Sequence, residues 1–348
     1  MNYHKPTITA CILAISAPII NLTAQIELTD SAAISGFVNG VYTHHDRGGQ
    51  TEEHLKLDET EIDLIFNLDT VSGEVHLHSI DGGNVELEQA FTTIDFGNGV
   101  SVTAGRFLSL LGFESDESVN RFTRTRAYDL SRPIPLYAEG INAKGVNDLG
   151  WISMSVLDEV WDGYGGGEFG DGSVGVEFQG GFTTQNGFTA VIGYAGQKTT
   201  GNSLNDPTKP LPNAELLNVW VSYETGPFIF AAEYNDFSNA AHANYSGEAN
   251  HARDRDSGDA SVGKGIYSEG QSYMFLAHYA IDNNLSITAR YSEEELDNGD
   301  GSEKWTIAPK YSFTDNLAGR IEYSRTDLEE NGVKEDVDFI SVEAMFTF

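Results

Sequence analysis

The sequence is short of cysteine, of positive charge and of long apolar runs. Its one cysteine, Cys11, lies near the start of the 348 residues. No intrachain disulfide, cysteine-ligated zinc site or paired-thiol chemistry is therefore available. Lysine and arginine number 20 against 53 acidic residues, a formal net charge of −33. Recognition of phosphates needs a basic footprint, so nucleic acid is excluded as a partner. Past the N-terminal segment no predominantly apolar run approaches the ~18 residues a spanning helix needs. That excludes a helical membrane protein but not a barrel, in which only alternate strand residues meet hydrocarbon. The glycine-rich stretch Gly163–Gly172 is followed by no Lys-Ser/Thr pair and is no phosphate cradle. No catalytic residue and no cofactor are assigned, and the chain is not read as an enzyme.

What the sequence does have is glycine (37 residues), tyrosine (15) and phenylalanine (19), a mixture suited to strands and turns. The N-terminus carries Lys5, an apolar run from Ile8 to Ile20, and Leu22-Thr23-Ala24 as a cleavage site with one oversized position. This reads as a signal peptide over 1–24 and a single domain over 25–348.

Beyond Gln25 the dominant period is two. Ile340, Val342, Ala344, Phe346 and Phe348 alternate with Ser341, Glu343, Met345 and Thr347. Ile62, Leu64, Phe66 and Leu68 form another stripe, as do Phe228, Phe230, Ala232 and Tyr234, and Trp305, Ile307, Pro309 and Tyr311. Such stripes have one apolar and one polar face, with aromatics near the strand ends where an interfacial girdle needs them. Short turns near Asp69–Ser72, Gly97–Gly99, Asn147–Gly150, Thr184–Gly187, Glu224–Pro227, Asp282–Asn284 and Thr314–Asn316 alternate with longer, mostly more polar connections. The longer ones lie near His44–Lys56, Ile80–Asn84, Phe107–Leu136, Glu159–Gly172, Lys198–Asn213, Ser238–Glu269, Glu294–Ser302 and Thr326–Glu335. That asymmetry predicts an all-β fold: a transmembrane antiparallel β-barrel of about sixteen strands with both termini at the turn end.

The third connection differs from the rest. It holds Arg121, Arg124, Arg126 and Arg132 beside Glu114, Asp116, Glu117 and Asp129. Leu108, Leu110, Leu111, Phe113 and Phe122 make it too apolar for a freely solvated loop. It is expected to fold into the lumen. There Glu114, Asp116, Glu117, Arg121, Arg124, Arg126 and Arg132 are the candidate pore constriction, since facing carboxylates and guanidinium groups screen solutes by charge. The same arginines would equally serve to pair neighbouring acids and fix the loop. Arg290, Lys304, Lys310 and Arg320 fall on three strands opposite the apolar stripes and are the candidate lumen wall, with Glu322 and Glu343 as possible partners. The segments Asp297–Glu303 and Asp254–Asp259 lack full calcium-loop spacing, and His44-His45 and His76/His78 are read as unoccupied; no metal site is assigned.

Ala104-Gly105-Arg106-Phe107, Leu111-Gly112-Phe113-Glu114, Asn120, Arg124-Thr125-Arg126, Pro133 to Tyr137, Gly140 and Asp158 to Gly163 resemble the OmpL-like β-barrel porin family. Gln89-Ala90-Phe91 is similar to a siderophore-porin strand, which the arginine-rich segment fits less well. The resemblance implies a Gram-negative outer-membrane porin for passive diffusion of small hydrophilic solutes or ions, with outer-membrane lipid as its surroundings. A homotrimer is expected by analogy. The alternative is a non-conducting barrel acting in adhesion or surface recognition through long loops such as Ser238–Glu269. Acidic mouths favour cations and the arginines favour anions, with a lean towards cations.

Overall fold

The computed structural model describes residues 25–131, 133–161, 174–198, 213–242 and 266–348. The expected signal peptide, Arg132, Asp254–Asp259 and much of the fourth, fifth and sixth long connections lie outside the described residues.

A short β1 (Ile26–Thr29) pairs with the start of β2 (Ala32–Arg47). The barrel continues through β3 (Gln50–Leu68), β4 (Val71–Ile80), β5 (Glu86–Asp95), β6 (Val100–Leu108), β7 (Tyr137–Asn147) and β8 (Gly150–Leu157). There follow β9 (Val174–Thr183), β10 (Phe188–Lys198), β11 (Ala214–Thr225), β12 (Phe228–His242) and β13 (Ile266–Ala280). It ends with β14 (Leu285–Leu296), β15 (Gly301–Ser312), β16 (Leu317–Glu330) and β17 (Val333–Thr347). From β2 onward each strand pairs antiparallel with the next, and β17 returns to β2 in register from Val337↔Arg47 to Thr347↔Phe37. The ring therefore closes with sixteen strands, leaving no edge for an intruding chain. Gly36 and Phe348 exchange both backbone hydrogen bonds at 2.9 Å where the ring meets its final residue.

Alternation explains the closure. Ile62, Phe66, Ile192, Phe230, Phe275, Ile307, Ile321 and Val342 all project outward and are exposed. An apolar belt this continuous is stable only against hydrocarbon. Aromatic pairs border it. Phe228 stacks on Tyr279 (4.6 Å between centroids) and Tyr311 meets Phe313 (5.1 Å) towards the turn end. Tyr291 meets Trp305 (4.6 Å) towards the loop end. Trp305 and Tyr311 lie on one strand, separated by about 20 Å at the usual rise per residue.

The seven short turns form where expected. At one, Asn284 and Leu285 both donate backbone N–H groups to the Asp282 carboxylate (2.8 Å), which pre-forms the turn. The loop end differs from the expectation. His44–Lys56, Glu294–Ser302 and Thr326–Glu335 are mostly tall hairpins rather than loops. The first turns only at Gly48 and Gly49 (φ 59 and 83) and the last at Asn331 and Gly332 (φ 54 and 75). Above the hydrocarbon both faces of a hairpin meet water, so apolar alternation stops while the hydrogen-bond ladder continues.

Two bulges escape any reading of periodicity. Register slips where Asn39↔Glu59 gives way to Gly40↔Leu57, leaving Asp58 as the extra residue. It slips again between His76↔Gln89 and Leu77↔Leu87, leaving Glu88 extra. Each bulge turns two successive polar side chains inward, Asp58 with Glu59 and Glu88 with Gln89.

Candidate functional site: the loop inside the barrel

The third connection leaves β6, and its neck is pinned where Ser109 donates its N–H to the Leu136 carbonyl at 2.6 Å. Its apolar residues pack onto the inner wall. Phe107 and Leu111 join Leu157, Trp161, Leu216 and Phe237 in one cluster. Phe113, Ala127 and Tyr128 join Trp151, Val191, Trp220 and Met274 in a second, and Val119 meets Phe37 and Met345. A Cβ at Gly193 would lie 2.2 Å from the Leu111 side chain, so the absence of one there is what seats that leucine. The apolar side of the loop thus finds the surface its composition demands.

The polar groups are fastened from the wall, with carboxylates gripping loop amides and guanidinium groups gripping loop carbonyls. Glu233 accepts from Phe113 N (2.7 Å) and the Tyr128 hydroxyl (3.1 Å). Glu294 accepts from the successive amides of Asp129, Leu130 and Ser131 (2.7, 2.9 and 2.8 Å). Glu322 accepts from Arg124 N and from Thr125 N (3.0 Å). Consecutive amides pointing at one carboxylate form an anion nest, here closed by the protein's own side chain. These wall acids were not singled out from sequence as loop anchors. The available signal was their inward phase on alternating strands.

Each candidate residue other than Arg132, which lies outside the described residues, has a defined place. Arg290, fully buried, pairs with Glu114 and donates to Thr123 Oγ1 (2.7 Å), the Thr125 carbonyl (2.7 Å) and the Arg126 carbonyl (2.8 Å). Arg320, also fully buried, forks onto Glu343 (2.5 and 2.9 Å) and donates to the Ser118 and Arg121 carbonyls (3.0 and 2.7 Å). Lys304 bonds Asp129 (2.6 Å) and the Arg126 carbonyl (2.8 Å), whereas Lys310 reaches only the Val119 carbonyl at 3.5 Å. Three of the four wall bases are therefore buried beneath the loop and hold it. Arg124 crosses to Asp58 on β3, with Glu343 at 3.6 Å, while Arg126 pairs within the loop to Asp116. Arg121 makes no ion pair among the described residues and stays partly exposed. Glu117 accepts from Asn120 and turns towards the acids of β3 and β5.

Electrostatics follow from these placements. Burial would raise the Glu114 carboxyl, but Arg290 and the Ala127 N–H outweigh it and hold it low. Asp116 is likewise held low against burial by Arg126 and the Tyr137 hydroxyl. Burial, with Asp63 and Glu59 nearby, pushes Glu117 up to about 8, and His76 offsets this only in part.

The loop does not cover the wall evenly. Inward side chains at mid-height on β8–β17 are almost all buried, including Asn218, Asn235, Ser272, Glu322 and Ser341. On β4–β7, Ser72, Glu74, Thr93, Thr103 and Lys144 keep partial access to solvent. Partial solvent access thus reaches the turn-end half of β4–β7, while Glu61, His76, Glu88 and Gln89 at mid-height on the β3–β5 wall are buried.

A family model described as "Putative beta-barrel porin-2, OmpL-like" matches residues 62–348. No curated protein matches the sequence. Among solved structures, Salmonella typhi OmpF in complex with daunomycin superposes with a TM-score of 0.71 at 13% identity, covering 93% of this chain and 100% of that one. An anion-selective porin from Comamonas acidovorans gives 0.65 at 12% identity, with 91% and 99% covered. The trimer form of Vibrio cholerae OmpT gives 0.59 at 11% identity, with 92% and 100% covered. At such identities the likeness is one of fold.

Proposed function

Because the chain belongs to the OmpL-like β-barrel porin family of outer-membrane proteins, channels rather than enzymes, we propose that it passes small hydrophilic solutes or ions by passive diffusion. The observation that supports this most is the inward loop, fastened against β8–β17 and leaving the turn-end half of β4–β7 partly open to solvent. Solutes move between Arg121 and Glu117 on the loop and the acids of β3–β5 on the wall. Of the described loop arginines, Arg121 is the one without an ion pair and able to act on a passing ion, while Arg124 and Arg126 are committed to Asp58 and Asp116. The acids outnumber it, so the path prefers cations. A trimer, the state in which one OmpT structure is described, is the assembly we expect.

A second reading, a non-conducting barrel that recognises surfaces through its outer hairpins, draws support from how completely the inner face of β8–β17 is buried. Reconstitution into a planar bilayer separates the two. Steady open steps, with a reversal potential in a salt gradient of the sign for cations, support the channel. A folded, heat-modifiable protein that inserts but never conducts refutes it.

A further inference from the structure

The inner wall of β3–β5 carries two groups of side chains that loop anchoring uses only through Glu59, which accepts from the Ser118 N–H at 3.2 Å. Glu61, Asp63 and His76 form one, and Glu59, His78 and Glu88 the other; in each, every residue offers a ligand atom within 4.8 Å of the other two. The register explains the convergence. Asp63 faces His76 and Glu61 faces His78 across the β3–β4 pair, and the bulge at Glu88 adds a carboxylate from β5.

The hydrogen bonding of these groups is incomplete in a way that matters. His76 Nε2 meets Glu74 at 2.9 Å, which places a proton on that nitrogen. Its Nδ1 lies 2.9 Å from Glu61 Oε1 in hydrogen-bond geometry, 3.1 Å from Asp63 Oδ1 and 3.4 Å from the Gln89 amide nitrogen. Asp63 Oδ1 nonetheless has no hydrogen-bond partner, nor does the second oxygen of the fully buried Glu61. In the other group His78 Nδ1 and Glu88 Oε1 are 2.9 Å apart, yet that nitrogen has no hydrogen bond, and Glu88 Oε2 has none either. Acceptors crowded together without donors are unstable unless a cation sits among them. Two atoms 2.9 Å apart without hydrogen-bond geometry suit adjacent ligands of one ion, given metal–ligand bonds of about 2.0–2.2 Å. A histidine whose second nitrogen is held by a carboxylate is the arrangement that orients imidazole towards a metal.

We propose that this wall binds divalent transition-metal ions of the zinc class, the first through Glu61, Asp63 and His76 with Glu74 orienting the imidazole, the second through Glu59, His78 and Glu88. Imidazole nitrogen with carboxylate oxygen selects borderline ions over calcium or magnesium. Glu74 and Asp63 are partly accessible, so ions arrive from the turn end of the barrel. The competing arrangement is a proton: an imidazolium clamped between Glu74 and Glu61.

The test is calorimetric titration of ZnCl2 into the detergent-solubilised full barrel, purified without a histidine tag. Saturable binding is expected, with Glu74→Gln weakening it about 10- to 100-fold and His76→Ala abolishing the first site. His278→Ala, altering another inward histidine, should leave binding unchanged. Heat-modifiable migration confirms that each variant is folded, and zinc X-ray absorption should report one imidazole nitrogen among oxygen ligands. No saturable binding, or binding indifferent to both Glu74→Gln and His76→Ala, overturns the proposal and leaves the imidazolium. None of these measurements needs conduction, so they stand apart from the channel reading. If the barrel also conducts, submillimolar zinc should block the wild type and not His76→Ala.

Discussion

Replacing Arg290 should release the inner loop while leaving the barrel standing. Its guanidinium grips Glu114, two threonine hydroxyls and the carbonyls of Thr125 and Arg126, with no exposure to solvent. Arg290→Ala strips the cation from the Glu114 carboxylate and leaves several loop acceptors unpaired. Removing one partner of a buried charge pair costs about 3–5 kcal/mol. At about 1.4 kcal/mol per tenfold, the docked-to-released ratio falls by roughly two to three and a half decades. The strand ladder from Leu285↔Tyr311 to Glu295↔Gly301 is untouched, so closure survives. Arg290→Lys keeps the charge but loses the planar fork and should fall between the two. The assay is single-channel conductance with limited proteolysis of the same preparation. Larger, noisier openings and cleavage between 109 and 136 are expected, with heat-modifiable migration retained. Unchanged conductance together with an uncut loop would falsify the anchoring argument.

Other expectations follow from the same geometry. Glu294→Ala removes the acceptor for three consecutive loop amides and should raise proteolytic susceptibility near 129–131, read by mass spectrometry of the fragments. Arg121→Ala removes an unpaired base and should move the reversal potential further towards cations at unchanged stability; a shift towards anions would contradict its placement. Ile192→Arg puts a charge on the lipid face of β10 and should cost about 2–4 kcal/mol near the midplane, measured by urea unfolding in lipid vesicles. Gly193→Leu collides with Leu111 and should loosen the loop without disturbing the outer belt, seen as altered tryptophan fluorescence from the Trp161 cluster.

The barrel was legible because its solvent varies residue by residue. Stripes such as Ile340, Val342 and Phe346 record hydrocarbon on one side and an interior on the other, and the turns between them carry Asp, Asn and Gly for local reasons. The inward loop was legible from the mixture of leucine, phenylalanine and arginine between 107 and 136. What holds each arginine was not. Arg124 finds Asp58 and Arg320 grips Ser118, contacts set by ring closure rather than by neighbourhood in the chain. The bulges at Asp58 and Glu88 were equally hidden, because one inserted residue leaves the surrounding period intact while redirecting a carboxylate. Without the second bulge the wall would lose Glu88, and His78 would face only the acids of β3. The tall hairpins were misread because polarity on both faces of a strand resembles polarity in a loop.

The grip of β16 and β17 on the loop has a consequence for biogenesis. Arg320 and its partner Glu343 come from the last strands to be added, yet the carbonyls that Arg320 binds belong to a segment made long before them. The final zippering of β17 onto β2 therefore completes the cradle around a chain already threaded through the middle. A nascent sheet that sealed with this segment outside would be a different molecule, hollow and leaky, so whatever machinery seals the wall must wait for its contents.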